Sequence, residues 1–239
     1  MERSKKPSWK MSGLRLSISL ALVVFLMFMV DIQSMQKALQ SISIGAVVFV
    51  ILLCFVQMIL AGFRWFLIGK MTGPFLSASS VFQINFGAMF SNQILPTSIG
   101  GDLIRIELSR QRGLSVGRAT RSVVLDRSTG LASLMILLLA TGFIMKELFP
   151  PTWPVFTFQL IAATFVAGSF LIIYYGAVIE KRFSRLIYYN WLRQLFVEAN
   201  LLGREGLTTG YAILISLIIH GIGALCLWYL ALEIGIQVN

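Results

Sequence analysis

The stretch Asn92-Gln93-Ile94-Leu95-Pro96-Thr97-Ser98-Ile99-Gly100-Gly101-Asp102-Leu103-Ile104-Arg105 places polar, charged and helix-breaking residues inside a strongly apolar chain. Proline cannot continue a helix, and it pushes the residue before it towards extended backbone. Irregular backbone in a bilayer leaves N–H and C=O groups unpaired, and it is kept only where protein or water covers it. The stretch therefore predicts a broken-helix element that carries function.

The composition around this stretch is typical of an integral membrane protein. The chain has 239 residues, of which 57% are hydrophobic and 13% are charged, whereas a soluble domain has about 25% charged residues. The mean hydropathy is +0.82. The net charge is +10, and the basic residues lie beside apolar runs. This placement favours membrane topology and anionic lipid headgroups over nucleic acid as the reason for the charge.

The hydropathy pattern predicts an all-α, polytopic fold with about five transmembrane helices. A spanning helix needs about 20 apolar residues. Stretches that meet this requirement occur at 14–30, 44–68, 129–148, 155–179 and 209–232. We predict a basic cytoplasmic segment at 1–13 and a single transmembrane domain at 14–239. Pro150, Pro151 and Pro154 predict a tight turn between the third and fourth spans.

The segment 77–95 is ambiguous, because polar residues interrupt its apolar pattern. If it does not cross the membrane, all of the 20 basic residues except Lys37 and Lys146 lie on the cytoplasmic side. If it crosses, most of the downstream basic residues move outside. The positive-inside rule therefore predicts that the segment is a re-entrant or interfacial hairpin and that the amino terminus is cytoplasmic. Residues 181–204 read as an interfacial amphipathic helix or as a basic loop with an aromatic belt.

The glycines and charges after Pro96 suggest anion recognition. Gly100 and Gly101 allow positive φ and the close approach of another group. Asp102 is a good N-cap for a helix at 103–111, and Arg105 lies one turn later on the same face. Helix N-termini attract anions, phosphate included. A plain structural turn is the alternative interpretation.

Further charged residues follow at the start of the predicted third span. Arg118 and Arg121 are one turn apart, and we predict that they gather with Arg105 around a headgroup. Ionisable residues at membrane depth are usually paired, so Asp126 is predicted to orient an arginine. The alternative is a headgroup-level anchor, in which Arg127 extends to the surface and Asp126 pairs with it or with a neighbour.

Two single residues have simpler interpretations, and no catalytic set is recognisable. Arg64 reads as a side chain that extends to the surface at the end of its span. His220 is expected to make an interhelical hydrogen bond, with a cavity-lining role as the alternative. The sequence contains no nucleophile–histidine pairing, Cys/His cluster or Walker loop. We therefore expect no enzymatic activity, no cofactor and no metal.

Two motifs together resemble a known family. Asn92-Gln-x-Leu-Pro96-x3-Gly-Gly-Asp102-x2-Arg105 is followed by Ser122-Val-Val-Leu-Asp126-Arg127-x2-Gly130-Leu131. The pair resembles the lysylphosphatidylglycerol synthase transmembrane-region family, also called the flippase-like domain family. The resemblance covers residues 12–239, and its specific motifs lie within 92–131.

The resemblance implies lipid handling in the bacterial inner membrane. Well-understood members move an aminoacylated phospholipid between leaflets, and other relatives belong to hopanoid or polyprenyl-linked sugar pathways. The predicted substrate-binding residues are Asn92, Pro96, Gly100, Gly101, Asp102, Arg105, Arg118, Arg121, Asp126 and Arg127. The expected partners are anionic or lipid-linked membrane lipids. A second Pro/Gly motif often found in the family does not occur here, so we expect a domain that is incomplete at its carboxyl end.

Two other functions compete with translocation. One is a non-catalytic membrane subunit that partners a lipid-modifying or glycosyl-transferring enzyme. The other is an integral glycosyltransferase, a label that relatives have carried, although no aspartate pair accompanies a nucleotide-binding fold in this sequence.

Overall fold

The computed structural model describes residues 17, 24–25, 31–94, 100–144, 154–182 and 190–236. These ranges contain eight α-helices and no strand. The helices are α1 (Ile32–Ser41), α2 (Ile44–Met71), α3 (Ala78–Ile94), α4 (Gly100–Gln111), α5 (Val116–Ile144), α6 (Val155–Arg182), α7 (Asn190–Arg204) and α8 (Gly206–Glu233).

Four of these helices are long and apolar enough to cross a membrane, namely α2, α5, α6 and α8. The all-α polytopic prediction is thereby confirmed. The predicted first span at 14–30 lies largely outside the described residues, and so do Pro96, Pro150 and Pro151.

The third predicted span begins earlier than expected. Helix α5 begins at Val116 rather than at Thr129, because residues 116–129 contain no proline that would separate a preceding helix from the span. Asp126 and Arg127 therefore lie inside a long helix and not at its start.

The chain divides into two compact units, and each is described by itself. The first unit comprises residues 1–50 and 227–239. In it, the Ser43 N–H donates to the Glu233 carboxylate at 3.0 Å, and the rings of Phe49 and Tyr229 pack edge to face with centroids 5.2 Å apart. The second unit comprises residues 51–226, and all of the contacts described below lie within it.

Helices α3 and α4 form an antiparallel hairpin that is tied at both ends. Near its tip, the Gly101 N–H donates to Asn92 Oδ1 at 2.7 Å. At its base, Arg112 donates to the Ser80 carbonyl at 2.7 Å and to Gln83 Oε1 at 2.8 Å. Helix α3 thus runs in one direction and α4 returns beside it. The re-entrant or interfacial placement of this hairpin stays a prediction. Asn92 holds the returning backbone, as expected.

The glycines at the hairpin tip serve close packing rather than unusual torsion. A Cβ on Gly101 would lie 2.7 Å from the Ala88 carbonyl oxygen and 2.6 Å from the Asn92 side chain. Among the described residues, positive φ occurs at Gly73, Gly113 and Gly235. The positive φ that glycine allows is thus not used at Gly100 and Gly101, because α4 already begins at Gly100, whereas the close approach of another group that glycine also allows is observed at Gly101.

The earlier start of α4 also changes the role of Asp102. Asp102 lies within the first turn of α4 instead of at the N-cap. A carboxylate in the first turn still interacts favourably with the positive end of the helix dipole.

Helix α7 is amphipathic, but its apolar face packs against protein. Ala199 and Leu202 are buried in a core cluster with Ile68, Leu125 and Ala212. The interfacial helix predicted within 181–204 is therefore a helix whose apolar side is covered by other helices.

The contact between α7 and α6 is unusually close. Asn200 Nδ2 donates to the carbonyls of Ile173 and Tyr174 at 2.9 and 2.8 Å. A Cβ on Gly203 would lie 2.6 Å from the Ile173 carbonyl oxygen. The two backbones can approach this closely only because the crossing residue has no side chain.

The hairpin predicts different outcomes for two alanine substitutions. Gly101→Ala introduces a Cβ against the fixed Ala88 carbonyl, so we expect it to lower the free energy of unfolding by about 1–3 kcal/mol, as overpacking does. Gly87→Ala is the matched control, because its Cβ would meet only Leu108 Cδ1 at 3.9 Å. Thermal unfolding of the purified variants in detergent measures the difference. Equal unfolding midpoints would show that the hairpin tip tolerates side chains.

Candidate functional site

A buried carboxylate shared by two arginines lies at the centre of the second unit. Asp126 on α5 is 1% exposed. Its Oδ1 accepts from Arg64 Nε on α2 at 2.8 Å, and its Oδ2 accepts from Arg105 Nη2 on α4 at 2.9 Å. Arg64 and Arg105 are 7% and 4% exposed. Two positive charges thus meet one negative charge in a setting where unpaired charge is costly.

Additional contacts fix the orientation of each arginine. Arg64 Nη1 donates to Ser216 Oγ on α8 at 2.9 Å. The Arg105 guanidinium lies over the Trp65 ring, 4.0 Å from its centroid. Trp65 is itself held by a hydrogen bond from Nε1 to Ser122 Oγ at 3.3 Å. A guanidinium over an indole face gains cation–π attraction, which is stronger away from water.

A second carboxylate connects this buried triad to an exposed arginine. Arg127 donates to Asp102 Oδ2 through Nε at 2.9 Å and to Oδ1 through Nη2 at 2.7 Å. The Arg127 side chain is 53% exposed. Asp102 Oδ1 also lies 3.5 Å from Arg105 Nη1, which confirms that Asp102 and Arg105 share a face of α4. We call Arg64, Arg105, Asp126, Asp102 and Arg127 the charge cluster.

A cavity of about 120 Å³ adjoins the charge cluster. Its walls are formed by helices α2 to α5, and the lining residues are Ala61, Arg64, Asn85, Ala88, Met89, Asn92, Gly101, Arg105, Asp126 and Arg127. A buried water needs about 10–15 Å³ of such cavity volume, so the cavity has room for a group of phosphate size.

The charge and hydrogen-bonding capacity of the cluster favour an anion. Its three arginines exceed its two carboxylates by one charge. Arg105 Nε is buried and has no hydrogen-bond partner among the described residues. A buried donor without a partner costs about 1–3 kcal/mol, so an acceptor at this position would be stabilising.

The comparison with protein families identifies the kind of protein to which the chain belongs. The sequence model of the family described as Lysylphosphatidylglycerol synthase TM region matches residues 14–239. The chain belongs to this family. The resemblance drawn from the two motifs is therefore confirmed, and membership indicates a multi-pass membrane protein of lipid metabolism or transport.

The other two comparisons add no relatives. Searches of curated proteins and of solved structures found no match to the chain.

The structure brings together most of the residues that the family motifs singled out. Asn92, Gly101, Asp102, Arg105, Asp126 and Arg127 all border the cavity or the charge cluster. Gly100 is buried in the first turn of α4, and Pro96 lies outside the described residues. The expectation that Asp126 orients an arginine is confirmed, since it holds two.

Arg118 and Arg121 do not contact the charge cluster. Arg118 Nη2 donates to the Thr72 carbonyl at 3.2 Å. Arg121 pairs with Glu198 on α7, with Nη2 and Oε1 2.8 Å apart. Both arginines precede Asp126 by more than a turn in an unbroken helix. The predicted gathering of Arg118 and Arg121 with Arg105 is therefore not observed.

Arg64 is the member of the cluster that sequence reasoning missed. It was predicted to extend to the surface, but it is buried and paired. The available signal was an arginine inside an apolar helix, since such residues face the bundle interior and find a partner. His220 behaves as predicted, with Nε2 3.0 Å from the Gly130 carbonyl oxygen.

The groups that the cluster offers are guanidinium, carboxylate and amide. Within the described ranges, no group of three His, Cys, Asp or Glu residues is placed to hold a metal ion. The arrangement is therefore suited to recognition of charge through hydrogen bonds.

The shared carboxylate predicts a large effect of a small substitution. Asp126→Asn removes the counter-charge of both buried arginines, and breaking a buried ion pair typically costs about 3–5 kcal/mol. We expect a marked drop in the thermal unfolding midpoint of the purified protein. Glu107→Gln is the matched control, because Glu107 pairs with Arg110 at the surface with both side chains about half exposed. Its midpoint should stay close to wild type, and equal losses in both variants would refute a central role for Asp126.

Proposed function

We propose that this protein binds the anionic headgroup of a phospholipid or lipid-linked substrate at the charge cluster and moves it between membrane leaflets. In this proposal the chain performs no covalent chemistry. The observation that carries it is the buried Arg64–Asp126–Arg105 triad beside a cavity of phosphate size. Membership in a lipid-related membrane family supports the same conclusion.

The charge balance of the site explains why an anion is the preferred ligand. A phosphodiester carries a single negative charge near neutral pH, which matches the one excess positive charge of the cluster. Electrostatic attraction is stronger in a buried site than in water. Arginine also presents paired N–H donors that fit two phosphate oxygens at once.

The carboxylates provide a reason why binding would be reversible. Asp126 holds Arg64 and Arg105 in position when no ligand is bound, and Asp102 does the same for Arg127. An incoming phosphate competes with these carboxylates for the same guanidinium groups. Transport requires a site that binds well enough to load and weakly enough to release.

The half-exposed position of Arg127 suggests the order of contacts. A headgroup that approaches the cavity meets Arg127 first, because Arg105 and Arg64 are buried behind it. The phosphate then reaches Arg105, whose Nε lacks a partner. The substituent on the phosphate stays at the cavity mouth beside the half-exposed Arg127, where a positive guanidinium tolerates a neutral glycerol but repels the cationic choline of a zwitterionic lipid.

The proposed location is the bacterial inner membrane, with the amino terminus in the cytoplasm. The distribution of basic residues supports this orientation, since Lys37 and Lys146 would be the only two of the 20 basic residues on the side of the membrane away from the cytoplasm. The family supports a multi-pass membrane protein.

Replacing arginine by lysine separates recognition from charge. Arg105→Lys keeps the positive charge but loses the planar, two-pronged donor geometry. A charge-assisted hydrogen bond contributes about 1.5–3 kcal/mol, so we expect binding of phosphatidylglycerol to weaken by about tenfold or more. Native mass spectrometry of the purified protein with phosphatidylglycerol and with phosphatidylcholine measures this change.

Arg110→Lys provides the control for that experiment. Arg110 lies on the same helix, half exposed and paired with Glu107, and its replacement should leave lipid binding unchanged. If Arg105→Lys binds phosphatidylglycerol as tightly as wild type does, the charge cluster is not the headgroup site.

A further inference from the structure

A second cavity, of about 320 Å³, lies between helices α5, α6, α7 and α8. Its walls are mostly aliphatic and aromatic, and they include Leu125, Phe165, Ile172 and Leu195. Three of the four helices are candidate membrane spans. The cavity is therefore an apolar space among membrane helices, and no residue of the charge cluster lines it.

The two threonine hydroxyl groups in this lining donate within the protein. Thr129 Oγ1 donates to the Leu125 carbonyl at 2.8 Å, and Thr209 Oγ1 donates to the Leu202 carbonyl at 2.5 Å. A cavity holds water only where it offers several free polar partners, whereas apolar cavities stay dry and bind apolar molecules. Hydrocarbon is thus the favoured occupant.

Helix α7, which forms one wall of this cavity, is attached to two of the other walls. Asn200 ties α7 to α6, and the Arg121–Glu198 ion pair ties it to α5. These contacts fix the position of α7 beside the cavity.

Basic residues at the carboxyl ends of α6 and α7 indicate that the hydrocarbon belongs to an anionic lipid. Helix α6 ends in Lys181 and Arg182. Ile173 lies in the cavity wall on the same helix, about two turns before these basic residues. Helix α7 ends in Arg204, a few residues before Thr209 at the start of α8. A chain that fills the cavity would place an attached anionic headgroup near these basic side chains.

We infer that this cavity binds an acyl chain of an anionic membrane phospholipid. The site is separate from the charge cluster, because it lies on another face of α5. Leu125, Thr129 and Ala132 line the apolar cavity, whereas Asp126 and Arg127 line the polar one. The inference therefore does not depend on headgroup binding by the arginines.

Photo-crosslinking tests the inference directly. The full-length protein is placed in nanodiscs that contain phosphatidylglycerol with a diazirine near the end of one acyl chain, and the labelled residues are mapped by mass spectrometry. We expect label on cavity-lining residues such as Phe165 and Leu195. A parallel sample with a diazirine-labelled free fatty acid distinguishes the two sources of a chain, and cavity labelling by the fatty acid alone would overturn the phospholipid assignment.

Filling the cavity should remove this label. Ala132→Trp introduces a large side chain into the lining, and we expect severalfold less cavity labelling. Ala140→Trp is the matched control, because Ala140 is exposed on the same helix, and it should label as wild type does. Ser169→Phe fills the same space from α6, and thermal unfolding confirms that the variants are folded.

The possible results separate this site from the charge cluster. Loss of label in both filling variants, with label retained in Ala140→Trp and Arg105→Lys, supports an independent chain site. Label confined to outward-facing residues, or cavity label that survives both filling variants, overturns it. If Arg105→Lys binds phosphatidylglycerol as wild type does while both filling variants lose the cavity label, the headgroup proposal alone fails. If Arg105→Lys weakens headgroup binding while the cavity label survives both filling variants, the acyl-chain proposal alone fails.

Discussion

The sharing of one buried carboxylate by two arginines constrains the rest of the second unit. Asp126 requires Arg64 from α2 and Arg105 from α4 to reach the same point on α5. Arg105 can do so only if α4 returns close against α3. This close return is possible because Gly101 has no side chain and because its N–H donates to Asn92. The hairpin, the helix packing and the site are thus consequences of neutralising charge away from water.

Much of this organisation was predictable from the sequence because it follows from local chemistry. Apolar length predicts the spans, and charge bias predicts that residues 77–95 turn back. The one-turn spacing of Asp102 and Arg105 predicts their shared face. The partner of Arg64 was not predictable in the same way, since pairing across α2 and α5 depends on how helices pack. The same limit explains why Arg118 and Arg121, grouped by spacing, contact Thr72 and Glu198.

The two cavities give the second unit two chemically different environments. The polar cavity offers arginine donors and the fixed counter-charges of Asp126 and Asp102. The apolar cavity offers walls whose threonine hydroxyls are already satisfied. They lie on different faces of α5, so that helix separates the polar cavity from the apolar one. A long helix beginning at Val116, earlier than hydropathy alone indicates, is what makes this division possible.

Transbilayer movement of lipid in reconstituted vesicles tests most directly whether the charge cluster recognises an anionic headgroup during translocation. Fluorescent phosphatidylglycerol and phosphatidylcholine are compared in liposomes that contain wild-type protein or Arg64→Lys, with chemical quenching of the outer leaflet as the readout. We expect the wild-type protein to move phosphatidylglycerol faster than phosphatidylcholine. We expect Arg64→Lys to move the two lipids at equal rates. Equal rates for the two lipids with wild-type protein, or an unchanged preference in the variant, would contradict the proposal.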